Sequence, residues 1–285
     1  MSTENLGFEL QTADGVGLAG QAWIPPAPHA VVALVHGIAE HSGRYAFLAQ
    51  RATERGLGLV SVDLRGHGRS PGERSYVERF DDYLLDVDAL LEQARQRAAG
   101  RPVFLMGHSM GGAIALRWLA QRKQPVAGLI LSSAALRIGR DVPRFLLALA
   151  PLLSRWAPRL RGTRIDPALI SRDAAAVAAY VGDPLVSLKA PPARTGAELL
   201  QAMVANRAAA SGLALPVYLF HGDADRLTDP GGSREIHDAW GGADRILRLW
   251  PGSRHETLND LDREAVATEL LEWVLARSAQ PPAAA

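Results

Sequence analysis

Apolar residues cluster along the chain in short continuous runs, at 31–35, 57–62, 103–106, 126–131 and 216–220. Runs of this length, nearly free of polar interruptions, predict strands buried on both faces, as in a parallel sheet covered by helices. A further strand is expected over 245–250. Between the runs the period changes. Phe80, Tyr83, Leu84, Val87, Leu90, Leu91 and Ala94 repeat at helical spacing, so 80–97 reads as an amphipathic helix. Helices are also expected at about 44–55, from Ala113 through Leu119, near 231–240 and over 262–277. Residues 8–23 suggest two short strands about a turn at Asp14-Gly15.

Strand and helix therefore alternate, which predicts an α/β fold with a mostly parallel central sheet and helices on both faces. The alternation stops after Ser133. Residues 136–212 hold helical patterns at about 141–156, 173–181 and 194–210, and no strand. It then resumes. The organisation that follows is a core made of 1–135 and 213–278, a helical cap (136–212) inserted in it, and a Pro/Ala-rich tail (279–285) expected to be disordered. The cap leaves and returns at strand ends, the side on which open α/β sheets bind ligands.

Composition narrows the function. With 285 residues, 48% hydrophobic and 21% charged, the chain can bury a substantial core. A net charge of +1 gives no reason to expect nucleic acid as a partner. The absence of cysteine excludes disulfides, thiolate metal sites and a Cys nucleophile. The first ten residues have no basic-then-apolar leader. No apolar run approaches the ~20 residues of a membrane helix, so a cytoplasmic location is expected. No motif calls for a metal or cofactor.

The strand at 103–106 ends in Gly107-His108-Ser109-Met110-Gly111, with a helical pattern at once behind it. This is G-x-S-x-G in the strand–turn–helix setting that gives the motif meaning. Ser109 is the candidate nucleophile, and Gly107 and Gly111 leave room for a tight turn. A Ser nucleophile needs a base, and the base needs a carboxylate to orient it. In this arrangement they follow in the order Ser, acid, His. Beyond the loop at 221–229, where the acid is expected, two His remain. His237 lies inside an expected helix. His255 lies in the loop after the strand that ends at Trp250, where a base belongs. The acid should follow the strand at 216–220, where Asp223, Asp225 and Asp229 compete. Asp223 suits a turn brace. Asp229 precedes Pro230 and suits a helix N-cap. Asp225 is left as the orienting carboxylate. Two backbone N–H groups should hold the oxyanion: that of Met110, after the nucleophile, and that of Ile38, in the loop after the strand at 31–35.

His36-Gly37-Ile38-Ala39-Glu40-His41-Ser42-Gly43-Arg44-Tyr45 resembles the H-G-x-x-E-H-S-x-R-Y segment of monoacylglycerol lipases and lysophospholipase-like serine hydrolases. So do Asp63–Ser70 with Gly72-Glu73-Arg74, Gly107–Gly112, His221–Leu227, and Ser171-Arg172-Asp173 with Tyr180 and Asp183-Pro184-Leu185. The resemblance spans about residues 30–275. It implies an α/β-hydrolase with a lid, the triad Ser109, Asp225 and His255, and Ile38 and Met110 as oxyanion donors. It also implies that Glu40, Arg44 and Tyr180 line the polar end of the pocket near the glycerol. Glu40 and Arg44 lie four apart and equally suit a pair across a helix start. Leu258 stands where the animal lipases carry a second His, and their pocket cysteines have no counterpart. His41 and His108 are expected to pack around the site. The loop at 63–70 is expected to be a structural turn, because it lacks the Lys-Ser/Thr pair of a phosphate cradle.

The expected activity is hydrolysis of fatty-acyl carboxylic esters, with monoacylglycerol as the leading substrate. It should rise with pH near ~6.5 as His255 loses its proton. A carboxylesterase or lysophospholipase is the alternative within the fold, and a non-catalytic hydrolase-fold binding protein the alternative outside it. The stretch 145–153 with Trp156 is the most apolar part of the cap. Seven Arg and one acidic residue lie between Arg137 and Arg164. Such a segment suits a lid that touches a membrane surface, and suits equally a cap packed over an acyl pocket. No feature speaks to oligomeric state.

Overall fold

The continuous apolar runs become the central strands of one eight-stranded sheet. A computed structural model of the chain describes residues 5–139, 144–162 and 165–278. The tail at 279–285, and Arg140, Asp141 and Arg164 of the basic fringe, lie outside the described residues. The strands are β1 (Leu6–Gln11), β2 (Gly17–Trp23), β3 (Ala30–Val35), β4 (Leu57–Val62), β5 (Val103–His108), β6 (Gly128–Ser132), β7 (Val217–Gly222) and β8 (Arg245–Trp250). The helices are α1 (Ala46–Glu54), α2 (Tyr83–Ala98), α3 (Met110–Arg122), α4 (Arg144–Trp156), α5 (Ala174–Gly182), α6 (Ala193–Ala209), α7 (Pro230–Ala239) and α8 (Arg263–Ser278).

Strand order is β1-β2-β4-β3-β5-β6-β7-β8. The β1–β2 hairpin and the β2–β4 pair are antiparallel. The other pairs are parallel. Side chains alternate between the two faces, as the pleat requires. Val31, Ala33 and Val35 of β3 join the core beneath α2 and α3, whereas Ala30, Val32 and Leu34 join the core beneath α1 and α8. Trp118 and Tyr83 fill the first layer and are fully buried.

Element ends shift by a few residues, with a consistent cause. β5 and β7 run on to His108 and Gly222, because backbone pairing (His108 with Ser132, Gly222 with Trp250) carries the strands past the apolar residues. The helix expected from about 44 starts with a 3-10 turn, Ser42–Tyr45, before α1. A 3-10 turn at Phe80–Asp82 likewise precedes α2.

Parallel strands put their C-terminal ends on one edge. Order reverses between β3 and β5, since β3 leads to β4 on one side and β5 lies on the other. That reversal opens the crevice in which such sheets hold ligands. The helices α4, α5 and α6 lie between β6 and β7, in the segment that the sequence sets apart as an inserted cap. The cap is tied to the same edge: Ser187 N–H donates to Ala39 O at 2.9 Å, Glu256 N–H donates to Ile170 O at 2.8 Å, and His41 meets Asp183 at 2.8 Å. Among the described residues no helix is long and apolar enough to cross a membrane.

Candidate active site

Ser109 sits between the end of β5 and the first residue of α3, with φ 51° and ψ −120°. A non-Gly residue in that region stores about 1–3 kcal/mol of strain, a cost commonly found at functional positions. The turn is held by a Ser109 N–H bond to Ser132 O at 2.9 Å. Backbone crosses the turn so closely that a methyl on Gly111 would lie 2.1 Å from Val35 O, and one on Gly107 2.2 Å from Gly111 O. The Gly requirement expected from the motif is therefore steric.

β3 and β5 are neighbours, with Val35 opposite Gly107, so the loop after β3 passes beside Ser109. A methyl on Gly37 would lie 3.2 Å from Ser109 Cβ. Ile38 follows in this loop. Met110 is the first residue of α3, and a helix leaves its first N–H groups without an acceptor of its own. His36 braces the loop from within: its Nδ1 lies 2.7 Å from Gly37 O, and its Nε2 accepts Leu64 N–H at 2.9 Å. Burial lowers its pKa against the pull of Glu40 and Asp63, which keeps the ring neutral in this two-sided bond.

His255 follows β8 in the loop where the sequence puts it. Its ring lies against His108, with centroids 4.9 Å apart, and so at the elbow that carries Ser109. Its Nδ1 lies 2.7 Å from Asp225 Oδ2. A carboxylate only accepts, so Nδ1 carries the proton and Nε2 is left with its lone pair. Asp225 is fixed on both oxygens. Oδ1 accepts Leu227 N–H at 2.8 Å and Thr228 N–H at 3.1 Å. Oδ2 also meets His221 Nε2 at 3.0 Å and Thr228 Oγ1 at 2.9 Å. Burial would raise the carboxyl pKa, but His255 and His221 outweigh it and hold the group well below the usual carboxylate range. For His255 burial works downward. The Asp225 charge and hydrogen bond, with smaller help from Glu256 and Glu40, win and raise its pKa above 6.5.

The competing groups have other work. Asp223 Oδ1 accepts Gly252 N–H at 2.6 Å, bracing the turn. Asp229 caps α7, accepting Gly231 N–H at 2.8 Å. His237 lies on α7 beside Asp238. His108 bonds Ser132 Oγ at 3.0 Å and is kept neutral by burial, its pKa lowered to about 3. In the loop at 63–70, Asp63 accepts Ser42 N–H and Arg69 N–H, both at 2.8 Å, as a structural turn would.

Glu40 and Arg44 are paired, and more is involved than a helix-start contact. Arg44 Nη1 donates to Glu40 Oε2 at 3.0 Å. Its Nη1 and Nη2 each donate to Glu256 at 2.6 Å. The guanidinium lies 4.7 Å over the Tyr180 ring of α5. Sequence reasoning missed Glu256, Thr228 and His221 as neighbours of the site. Only adjacency to His255 and to the Asp225 loop marked them, and adjacency says nothing of where a side chain points. Among the described residues no cluster of three or more His, Asp or Glu is arranged to hold a metal ion.

The sheet order, with its reversal beside a strained Ser, makes this a serine-type α/β-hydrolase. Residues 26–262 match the family described as serine aminopeptidase S33, and the chain belongs to that family. Among its relatives is a monoacylglycerol lipase of Mycolicibacterium smegmatis, 34% identical over 262 residues, 92% of this chain and 94% of that one. The human monoglyceride lipase is 34% identical over 274 residues, 95% of this chain and 90% of that one. The crystal structure of Paleococcus ferrophilus monoacylglycerol lipase aligns with a TM-score of 0.83 at 32% identity, covering 92% of this chain and 99% of that one. The family resemblance carried by the sequence motifs holds, and the chain is a serine hydrolase.

Proposed function

We propose that the protein hydrolyses carboxylic esters of fatty acids, with monoacylglycerol as the leading substrate, through Ser109, His255 and Asp225. The observation that carries the reading is the 2.7 Å contact of His255 Nδ1 with Asp225, set beside the strained Ser109. It leaves His255 Nε2 as the atom that accepts the Ser109 proton. Ser109 Oγ then attacks the ester carbonyl, and Ile38 and Met110 N–H groups hold the oxyanion, each worth about 10²–10³ in rate. His255 returns the proton to the leaving alcohol. Water, deprotonated by His255 in turn, cleaves the acyl-enzyme and regenerates Ser109. The cluster of Tyr180, Arg44 and Glu40 borders the alcohol side of the pocket, with Arg44 turned to Glu40, Glu256 and the Tyr180 ring rather than to the substrate.

The family description raises peptide hydrolysis as a second reading. An aminopeptidase must hold the substrate's α-ammonium with a carboxylate. Of the carboxylates near His255, Asp225 holds its ring and Glu40 and Glu256 are both engaged by Arg44, which favours a neutral ester. The named relatives point the same way. A fluorophosphonate probe should label the wild type and leave Ser109→Ala unlabelled. An unlabelled wild type would favour the non-catalytic alternative. Hydrolysis of monoacylglycerols, lysophospholipids and p-nitrophenyl esters of graded length then assigns the head group; faster turnover of an amino-acid anilide than of every ester would overturn the lipase reading.

The cap supplies a peripheral contact with lipid, while the chain is otherwise cytoplasmic. Leu149, Leu152 and Trp156 fall on one face of α4, followed by Leu160, and all four are exposed. Arg155 stacks on Trp156 at 5.5 Å, which gives the apolar face a basic edge. Arg137 is not part of that edge, since Asp229 and Glu235 engage it.

A further inference from the structure

The loops after β3 and β8 leave the sheet with β5, β6 and β7 between them, yet one side chain joins them. Arg44 presents both terminal nitrogens to Glu256, the residue after His255, and shares one with Glu40. Glu40 uses its other oxygen, Oε1, to accept Gly37 N–H at 2.6 Å and the Tyr45 hydroxyl at 2.8 Å. Gly37 immediately precedes Ile38. Glu256 is also steadied by Asn259 Nδ2 at 3.1 Å, and its backbone N–H is bound by Ile170 of the cap. The three ionic side chains are almost out of water, Arg44 9%, Glu40 4% and Glu256 6% exposed.

We infer that Arg44 is a positioning residue for catalysis: through Glu256 it fixes the loop that carries the base, and through Glu40 the loop that carries the Ile38 oxyanion donor. The inference rests on the proposed roles of Ser109, His255 and Ile38. Desolvating three charges is costly and adds little net stability over an apolar cluster of the same size. A bidentate fork, by contrast, fixes distance and angle together, and a carboxylate bond to Gly37 N–H fixes the peptide plane immediately before the one that carries Ile38 N–H. Lys cannot substitute, because a single ammonium has no planar fork.

The cluster also sets the charge around His255. The groups that face it are Asp225 from the loop after β7, His108 from β5, Glu40 and Arg44 from the segment after β3, and Glu256 beside it. Two carboxylates and one guanidinium leave the clasp one negative charge. Removing Arg44 uncovers both carboxylates; removing the Glu256 charge balances the pair that remains.

The test uses kcat and KM on two substrates, a monoacylglycerol and p-nitrophenyl butyrate, which has no glycerol. Arg44→Gln should lower kcat at least tenfold on both, with KM within about threefold, and move the acid limb of kcat/KM to higher pH. Arg44→Lys should restore the limb and not kcat. Glu256→Gln keeps a balanced Glu40–Arg44 pair and so guards against an unfolded Arg44 variant. It should lower kcat on both substrates and move the limb to lower pH. A loss confined to KM on the monoacylglycerol would mean that Arg44 binds the glycerol directly, and would overturn the inference. So would unchanged kcat and limb in both Gln variants. The triad reading is tested separately: if Ser109→Ala kept its activity, that reading would fail, whatever Arg44 did.

Discussion

His255 is the residue whose environment has the most direct kinetic consequence. In the proposed mechanism it must be neutral to accept the Ser109 proton. Burial disfavours its charged form, yet Asp225, held at 2.7 Å, more than offsets this and raises the pKa above 6.5. A raised pKa means the base stays protonated to higher pH. The acid limb of kcat/KM should therefore have its midpoint above 6.5, rather than near the unperturbed value that the sequence alone led one to expect. A midpoint below 6.5 would contradict the pairing. His108, although closer to Ser109 in sequence, should contribute no limb, because burial holds its pKa at about 3. The proposed roles rest on residue type and on position at strand ends. What could not be read is that Asp225 also meets His221, which together with His255 keeps it ionised, and that Thr228 and two backbone N–H groups hold it in place.

At the scale of elements, the site depends on how closely two backbones approach. β5 turns into α3 over the exit of β3, and the space at Gly111 is bounded by Val35 O and His36 O. Both are backbone atoms of a central strand or its end and cannot move aside. Gly111→Ala should destabilise the fold by at least about 1–3 kcal/mol, the usual cost of overpacking, measured as a lowered urea midpoint. It should also slow fluorophosphonate labelling even under conditions where the chain remains folded. An unchanged midpoint with unchanged labelling would mean that the elbow relaxes freely. At Gly107 the steric demand comes from within the turn, at Gly111 O, and is local; at Gly111 it comes from the end of β3. Strand ends were less legible. β5 and β7 extend through polar residues, since their limits are set by pairing with neighbouring strands and not by their own apolar pattern.

For the whole molecule, the question is what the cap admits and what it touches. Leu152 is 55% and Trp156 74% exposed, both on α4. Burying each in a lipid interface is worth about 1.5–3 kcal/mol at most. Replacing both by Ser should weaken binding to anionic vesicles at least tenfold, read by co-sedimentation. Hydrolysis of soluble p-nitrophenyl butyrate should be unchanged. Equal vesicle binding by the double variant would show that the exposed face serves another purpose. The run of helices between β6 and β7 was legible as a break in the alternation of strand and helix. Its tethers, Ser187 to Ala39 and His41 to Asp183, were not, because they join residues far apart in sequence.

The sequence by itself determined what depends on neighbours in the chain: the buried parallel strands, the Ser on a glycine-bounded turn, the Asp and His on later strand ends, and the family. Each follows from local sterics or from the period of apolar residues, and both are written in the order of amino acids. Tertiary structure alone decided how the strand ends converge, and with that the meaning of Arg44. As a spacing of four, Glu40 and Arg44 suggested a minor helix-start pair or a contact for glycerol. Only when β3 and β8 occupy one sheet does Glu256 come within reach of the same guanidinium. The charge that closes the clasp is 212 residues away in sequence, and no local pattern encodes that distance.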